Sequence, residues 1–187
     1  MKKRVLLAVA AALCLLAGCK KSEPAEYEKG MENLEKQKYE QAVQNFEEAI
    51  QKGEESILSW RGIGLARTGQ GNYEKAEEAY STALGITEKK EKALQRDLYL
   101  YLADAQYHQE DYQGCIETCS QLLESDEHEN GYFLRGSCYL RRNEYKKAEN
   151  DFKKVISHNA GYQDYLDIYR IYQECGLSAD GEEYLES

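Results

Sequence analysis

The chain has 187 residues, enough for roughly one domain, with 42% hydrophobic and 31% charged residues. Its single proline, Pro24, lies near the start, and the long remainder, rich in Glu, Lys, Gln, Ala, Leu and Tyr, suits helices better than sheets. The formal charge is −10; without the first 18 residues, which carry Lys2, Lys3 and Arg4 and no acid, 21 bases face 34 acids, a balance that argues against a nucleic-acid partner and against polybasic attraction to anionic lipid.

The chain opens on a basic start and an apolar run from Val5 to Ala17, the layout of a secretory signal and too short for a spanning helix of about 20 residues. Its end, Leu16-Ala17-Gly18-Cys19, resembles the bacterial lipobox. That resemblance implies a leader over 1–18, a diacylglycerol thioether on Cys19, cleavage just before it and a further acyl chain on the new amino terminus. Several acyl chains, at about 0.8 kcal/mol per buried CH₂, hold a protein on a bilayer. Cys14 leaves with the leader. Residues 19–26 then form the anchor and a short polar tether, whose "KKSEPA" reaches roughly 20 Å at ~3.5 Å per residue. Lys20 stands where an Asp would resemble an inner-membrane retention signal. The expected location is the outer face of the cell membrane, or the outer membrane in a two-membrane host.

Next comes a phrase that returns. "YEQAVQNFEEAI" fills Tyr39 to Ile50, "YEKAEEAYSTAL" fills Tyr73 to Leu84, and "YKKAENDFKKVI" fills Tyr145 to Ile156. A weaker echo, "YQGCIETCSQLL", fills Tyr112 to Leu123. Gly30, Tyr39, Ala42, Phe46 and Ala49 match Gly64, Tyr73, Ala76, Tyr80 and Ala83, each pair 34 apart. The third set is Ala103, Tyr112, Cys115, Cys119 and Leu122, displaced by 39; the fourth is Gly136, Tyr145, Ala148, Phe152 and Val155, displaced by 33. A period in this range predicts a solenoid. The small residues let two antiparallel helices approach closely, and the aromatic and aliphatic positions form one apolar stripe at helical spacing.

These sets resemble the tetratricopeptide repeat, with Trp60, Ile63, Gly64, Gly71, Tyr73, Ala76, Tyr80 and Ala83 making a near-complete second unit. The resemblance implies an all-α fold, a right-handed α-solenoid of antiparallel helix pairs over 27–187. It has about four repeats, near 23–56, 57–90, 96–129 and 129–161, and a partial fifth over 162–187. Arg135-Gly136 with Asp151-Phe152 looks like the family's Arg-Gly variant, and predicts an Arg135–Asp151 pair across two helices. The first repeat departs from the pattern: Glu26 and Asn33 stand where the family prefers aromatics, and Glu26 is expected to point to water. The five inserted residues, within Gly85 to Leu94, are expected to add a turn to the helix containing Leu98 to Tyr107. For the final "SADGEEYLES" two readings stand, a short cap or a truncated repeat.

Chemistry is sparsely marked. His108, His128 and His158 lack the spacing of a metal-binding helix. His128 is expected in a loop and His158 at a helix end, where a cation suits the dipole. No catalytic, metal or cofactor residues are assigned. Cys115 and Cys119, four apart on one helix, read as small buried residues. A Cys119–Cys138 disulfide is the alternative outside the cytoplasm.

In the family, the first helices of the pairs line a concave groove for peptides. By position this groove takes Tyr27, Met31 and Leu34, then Arg61 and Leu65, then Leu100, Asp104, Tyr107 and His108. Phe133, Ser137, Leu140 and Arg141 follow, with Leu166 and Arg170 last. Aromatics and arginine are what binding hot spots use. The Lys-and-Asn carboxylate clamp of chaperone-binding members has Tyr27 and Met31 in its place. The function implied is an anchored adaptor that holds a protein or peptide partner. A self-associating oligomer is the first alternative, and a small-ligand receptor or enzyme accessory subunit the second.

Overall fold

The protein is described by a computed structural model over residues 25–157 and 161–185. The leader, Cys19, the tether before Ala25 and His158 lie outside the described residues. Ten helices and no strand occur among those residues. They pair as α1 (Glu26–Glu35) with α2 (Tyr39–Gln51), α3 (Ser56–Gly69) with α4 (Tyr73–Ile86), and α5 (Lys92–His108) with α6 (Tyr112–Leu123). Then come α7 (Glu129–Arg141) with α8 (Tyr145–Ile156), and α9 (Tyr162–Glu174) with the short α10 (Ser178–Glu182). The array is an α-solenoid of antiparallel helix pairs.

The turn inside each pair is set by one backbone device. Gln37, Gly71, Glu110, Asn143 and Gly176 all adopt positive φ, between 57° and 74°. The amide after each reaches back to close the preceding helix: Lys38 N to Asn33 O, Asn72 N to Arg67 O, Asp111 N to Gln106 O, Glu144 N to Tyr139 O and Leu177 N to Tyr172 O. A left-handed residue with this bond ends a helix sharply and satisfies carbonyls that the helix leaves free. Asn72 and Asp111 then start the next helix by accepting from the amides of Lys75 and Gly114.

The small-residue positions explain how the pairs close. A β-carbon on Gly30 would sit 2.6 Å from the Phe46 ring, and one on Gly136 would sit 2.8 Å from the Phe152 ring. Gly64 lies against Tyr80 in the same way. Gly62, from the next repeat, covers the other side of Phe46 at 2.5 Å. Each aromatic is therefore clamped on a glycine sixteen positions earlier. Buried clusters built on Phe46, Tyr80, Cys119 and Phe152 follow one another along the row. Tyr184 packs on Phe152 and Tyr172 at ring distances of 6.2 and 5.6 Å, so residues after α9 cover the fourth pair's apolar face.

Of the five inserted residues, some lengthen α5, which at 17 residues is the longest helix among the described residues, while 87–91 make a turn before it. Glu26 corrects the sequence expectation. Its side chain does not point to water; the residue is 8% exposed. Lys29 and Lys52 each donate to its Oε1 at 2.9 Å, and Asn45 donates to Oε2 at 3.1 Å. A carboxylate can occupy an inner position here because Lys29 of its own helix and Lys52 at the end of α2 both pair with it.

Candidate functional site: the inner face of the row

First helices touch their counterparts in the next repeat, α1 with α3, α5 with α7 and α7 with α9, while second helices make no comparable contact. Where first helices crowd together a row curves toward them, so α1 with α3, and α5 with α7 and α9, take the inner side. Between α5 and α7 this face holds an open notch of about 480 Å³, lined by Asp97, Leu100, Tyr101, Asp104, Asn130, Phe133 and Leu134.

Three residues expected in the groove, Leu100, Asp104 and Phe133, meet in this notch. Phe133 rests on Phe152 at 6.1 Å between ring centroids, which fixes the notch floor. Asp104 is half-buried, and its partner among the described residues is the His108 imidazole, at 3.7 Å. Burial raises its carboxyl above the usual carboxylate range, with His108 pulling the other way. Asp97 is paired with Arg96, its own neighbour, at 3.5 Å. The notch thus combines an apolar bed with two carboxylates whose partners among the described residues stand at 3.5 and 3.7 Å.

Tyr107 and Arg141 lie farther along the inner face and hold each other. Arg141 Nε donates to the Tyr107 hydroxyl at 3.2 Å, its guanidinium lies 6.0 Å from the Tyr107 ring centre, and Glu174 accepts from its other end. His108 is exposed and stacks on Tyr73, at 4.6 Å between ring centres. Arg170 is exposed and bonded to Asp167 at 2.8 Å. Arg61, on α3, is partly buried, and its Nε is buried without a hydrogen-bond partner among the described residues.

Tyr27, Met31 and Leu34 pack against the first cluster, and Leu65 against the second. Tyr27 lies 5.9 Å from Phe46 between ring centres. These residues serve the core at least as much as the groove. Two assignments are corrected outright. Ser137 is 1% exposed, and its hydroxyl donates to Phe133 O inside its own helix. Leu140 is equally buried, in the last cluster. Both point into the stack because one step along a helix turns a side chain by about 100°.

Sequence mapping missed Asp97, Tyr101, Asn130 and Leu134. The signal was present: Asp97, Tyr101 and Asp104 recur at four and three residues, one stripe on α5. Tyr101 is the most telling omission, because it is 37% exposed and stacks on buried Tyr80 at 5.4 Å between ring centres. Its ring is held in place while one side is open to a partner.

Cys115 and Cys119 are small buried residues, as expected, each 0% exposed, but the alternative pairing differs. Cys138 Sγ lies 2.8 Å from Cys115 Sγ, whereas the sequence pointed to Cys119. The register brings the three thiols to one level. Arg135 on α7 bonds Ser120 on α6 at 3.1 Å. In antiparallel helices, moving back along α6 means moving forward along α7, which brings Cys138 to the stretch of α6 that carries both cysteines; the sulfur it meets there is that of Cys115. Among the described residues no group of three or more His, Cys, Asp or Glu side chains is arranged to hold a metal ion.

Family models described as the tetratricopeptide repeat match residues 27–91 and 130–160, together just over half of the chain. Among solved structures, one of MamA is 18% identical, with a TM-score of 0.68 over 84% of this chain and 90% of that one. A second structure of MamA is 17% identical, with a TM-score of 0.70 over 86% of each chain. A tetratricopeptide repeat protein from Parabacteroides merdae is 22% identical, with a TM-score of 0.68 over 86% of this chain and 64% of that one. At these identities the likeness speaks for the fold. With the repeat models on both halves and the glycine-aromatic clamps recurring at the repeat spacing, the chain belongs to the tetratricopeptide repeat family.

Proposed function

We propose that this protein is a lipid-anchored adaptor of the bacterial envelope, tied to the membrane through Cys19, whose work is to hold a protein partner rather than to catalyse a reaction. Family membership supports a protein-interaction scaffold. The Leu16-Ala17-Gly18-Cys19 sequence after an apolar run supports the anchor.

One observation carries the binding reading: the α5–α7 notch. Leu100, Tyr101, Phe133 and Leu134 offer an apolar bed, and Asp97 and Asp104 flank it. Burying an aliphatic or aromatic side chain there stabilises a complex by about 1.5–3 kcal/mol. Lys or Arg beside that anchor would give the two aspartates a closer partner than Arg96 or His108 does. The fitting occupant is a peptide segment with an apolar anchor next to a basic residue.

Selection of random peptides on the purified full-length protein tests this. The expected winners pair an aromatic or large aliphatic residue with Lys or Arg, and lose binding about tenfold or more to Tyr101→Ala/Phe133→Ala. Winners without that pattern, or indifferent to the double substitution, overturn the notch assignment. Mass spectrometry of the mature amino terminus tests the anchor separately: an acylated Cys19 is expected, and an unmodified one refutes it.

A further inference from the structure

The three thiols of α6 and α7 are buried away from the inner face, and the adaptor function makes no use of them. Cys115, Cys119 and Cys138 are each 0% exposed. Cys138 Sγ donates to Cys115 Sγ across the boundary between the third and fourth pairs, at 2.8 Å. All three are free thiols in this structure.

We propose that Cys115 and Cys138 are a disulfide-forming pair that joins the third repeat to the fourth, and that Cys119 remains a thiol. The two sulfurs come from facing helices whose register is pinned nearby by Arg135 and Ser120. The sulfurs stand at 2.8 Å, within an ångström of the bond length of about 2.05 Å. Cys119 is on the same helix as Cys115 and one turn away, so it is the poorer partner for Cys138.

The step is thiol–disulfide exchange. The Cys115 and Cys138 thiols give up two protons and two electrons and form one S–S bond. An oxidised dithiol donor, or oxidised glutathione in a test tube, accepts them and leaves as two thiols. Cys119 bonding holds the Cys115 thiol pKa down, but the bond to Cys138 and burial outweigh it, so the net shift is upward. Thiolate is therefore scarce in the finished stack, and the bond forms while α6 and α7 are still opening and closing. Once made, it is sealed from reductant by the same burial.

The inference takes its oxidising compartment from the export reading, so two arms are needed. In the first, purified full-length protein is reduced, unfolded and refolded in a glutathione redox buffer. Digestion with trypsin and with a protease cutting after Glu117 separates Cys115 from Cys119. The expected product links the Cys115 peptide to Gly136–Arg141 and leaves Cys119 open to alkylation. A linked Cys119, or alkylation of all three, overturns the pair. In the second arm the same map is made on protein trapped with acid and alkylated in its native host. A pair that links in the first arm and is reduced in the second convicts the export reading and leaves the pair standing.

Discussion

Arg135 on α7 and Asp151 on α8 meet in a fork: Nε donates to Oδ2 at 2.8 Å and a terminal guanidinium nitrogen donates to Oδ1 at 2.9 Å. Both residues are largely enclosed, Asp151 at 5% exposure, and the remaining guanidinium nitrogen reaches Ser120 on α6. One side chain thus ties three consecutive helices. The paired acid raises the Arg135 pKa further.

Removing one member leaves the other charge enclosed and unpaired. Arg135→Leu or Asp151→Leu is therefore expected to cost about 2–4 kcal/mol in urea unfolding. The double substitution Arg135→Leu/Asp151→Leu should recover a large part of that loss, since two apolar groups can replace a buried pair at little net cost. Equal loss in the double and the single variants would show that the fork itself stabilises the stack.

The Arg135–Asp151 fork was legible in the sequence, and so was the clamp of Gly30, Gly64 and Gly136 on their aromatics, because both repeat a fixed offset. Glu26 was not. Its cation Lys52 lies at the end of α2, 26 positions away, and no period links the two. Candidate groove residues were legible by helix but not by face: Leu100 and Phe133 line the proposed notch, while Ser137 turns inward and Tyr101 went unnoticed. A repeat pattern fixes which helix is inner, whereas the angle of each side chain depends on the superhelical packing of neighbours. The same limit left the choice between Cys119 and Cys115 as the neighbour of Cys138 to the side-chain geometry.

The glycine clamps decide between two opposing effects. Alanine in place of a helical glycine gains about 1 kcal/mol of helix propensity. At Gly64 the new carbon would strike the ring of Tyr80, which is itself 1% exposed and cannot yield. Overpacking of this kind costs typically 1–3 kcal/mol. Gly64→Ala should thus destabilise by about 1–2 kcal/mol net, whereas Gly85→Ala, with open space around it, should be neutral or stabilising. Thermal unfolding of the two variants side by side checks the ranking; a stable Gly64→Ala protein would break it.

The turns offer a gain in the other direction. Glu110 holds φ of 62° at the position where the second repeat has Gly71 and the fifth has Gly176. A left-handed backbone costs a side-chain-bearing residue about 1–2 kcal/mol, and glycine avoids this while losing up to about 1 kcal/mol of unfolded-state entropy. Glu110→Gly is expected to be neutral to stabilising, by up to about 1 kcal/mol. Gly71→Ala should lose a similar amount. Urea midpoints report both, and a destabilised Glu110→Gly protein would mean that the Glu110 side chain contributes more than its backbone strain costs.

The first repeat should respond to acid through Glu26. Hydrogen bonds from Lys52 and then Lys29 hold its carboxyl down at about 2, well below the ordinary value near 4.3. The sign follows from linkage: a group whose folded pKa is depressed stabilises the fold above its unfolded pKa, and that contribution fades as pH falls toward the folded one. The window is therefore roughly pH 4.5 to 2. Urea unfolding at pH 5 and pH 3 should show wild type losing more stability than Glu26→Gln, whose amide does not titrate. A carbon-13 titration of the Glu26 carboxyl should place its midpoint near 2 in the native protein. A midpoint in the ordinary carboxylate range would mean that Lys29 and Lys52 sit too far off in solution to hold the charge, and that α1 is tied to α2 by its apolar contacts alone.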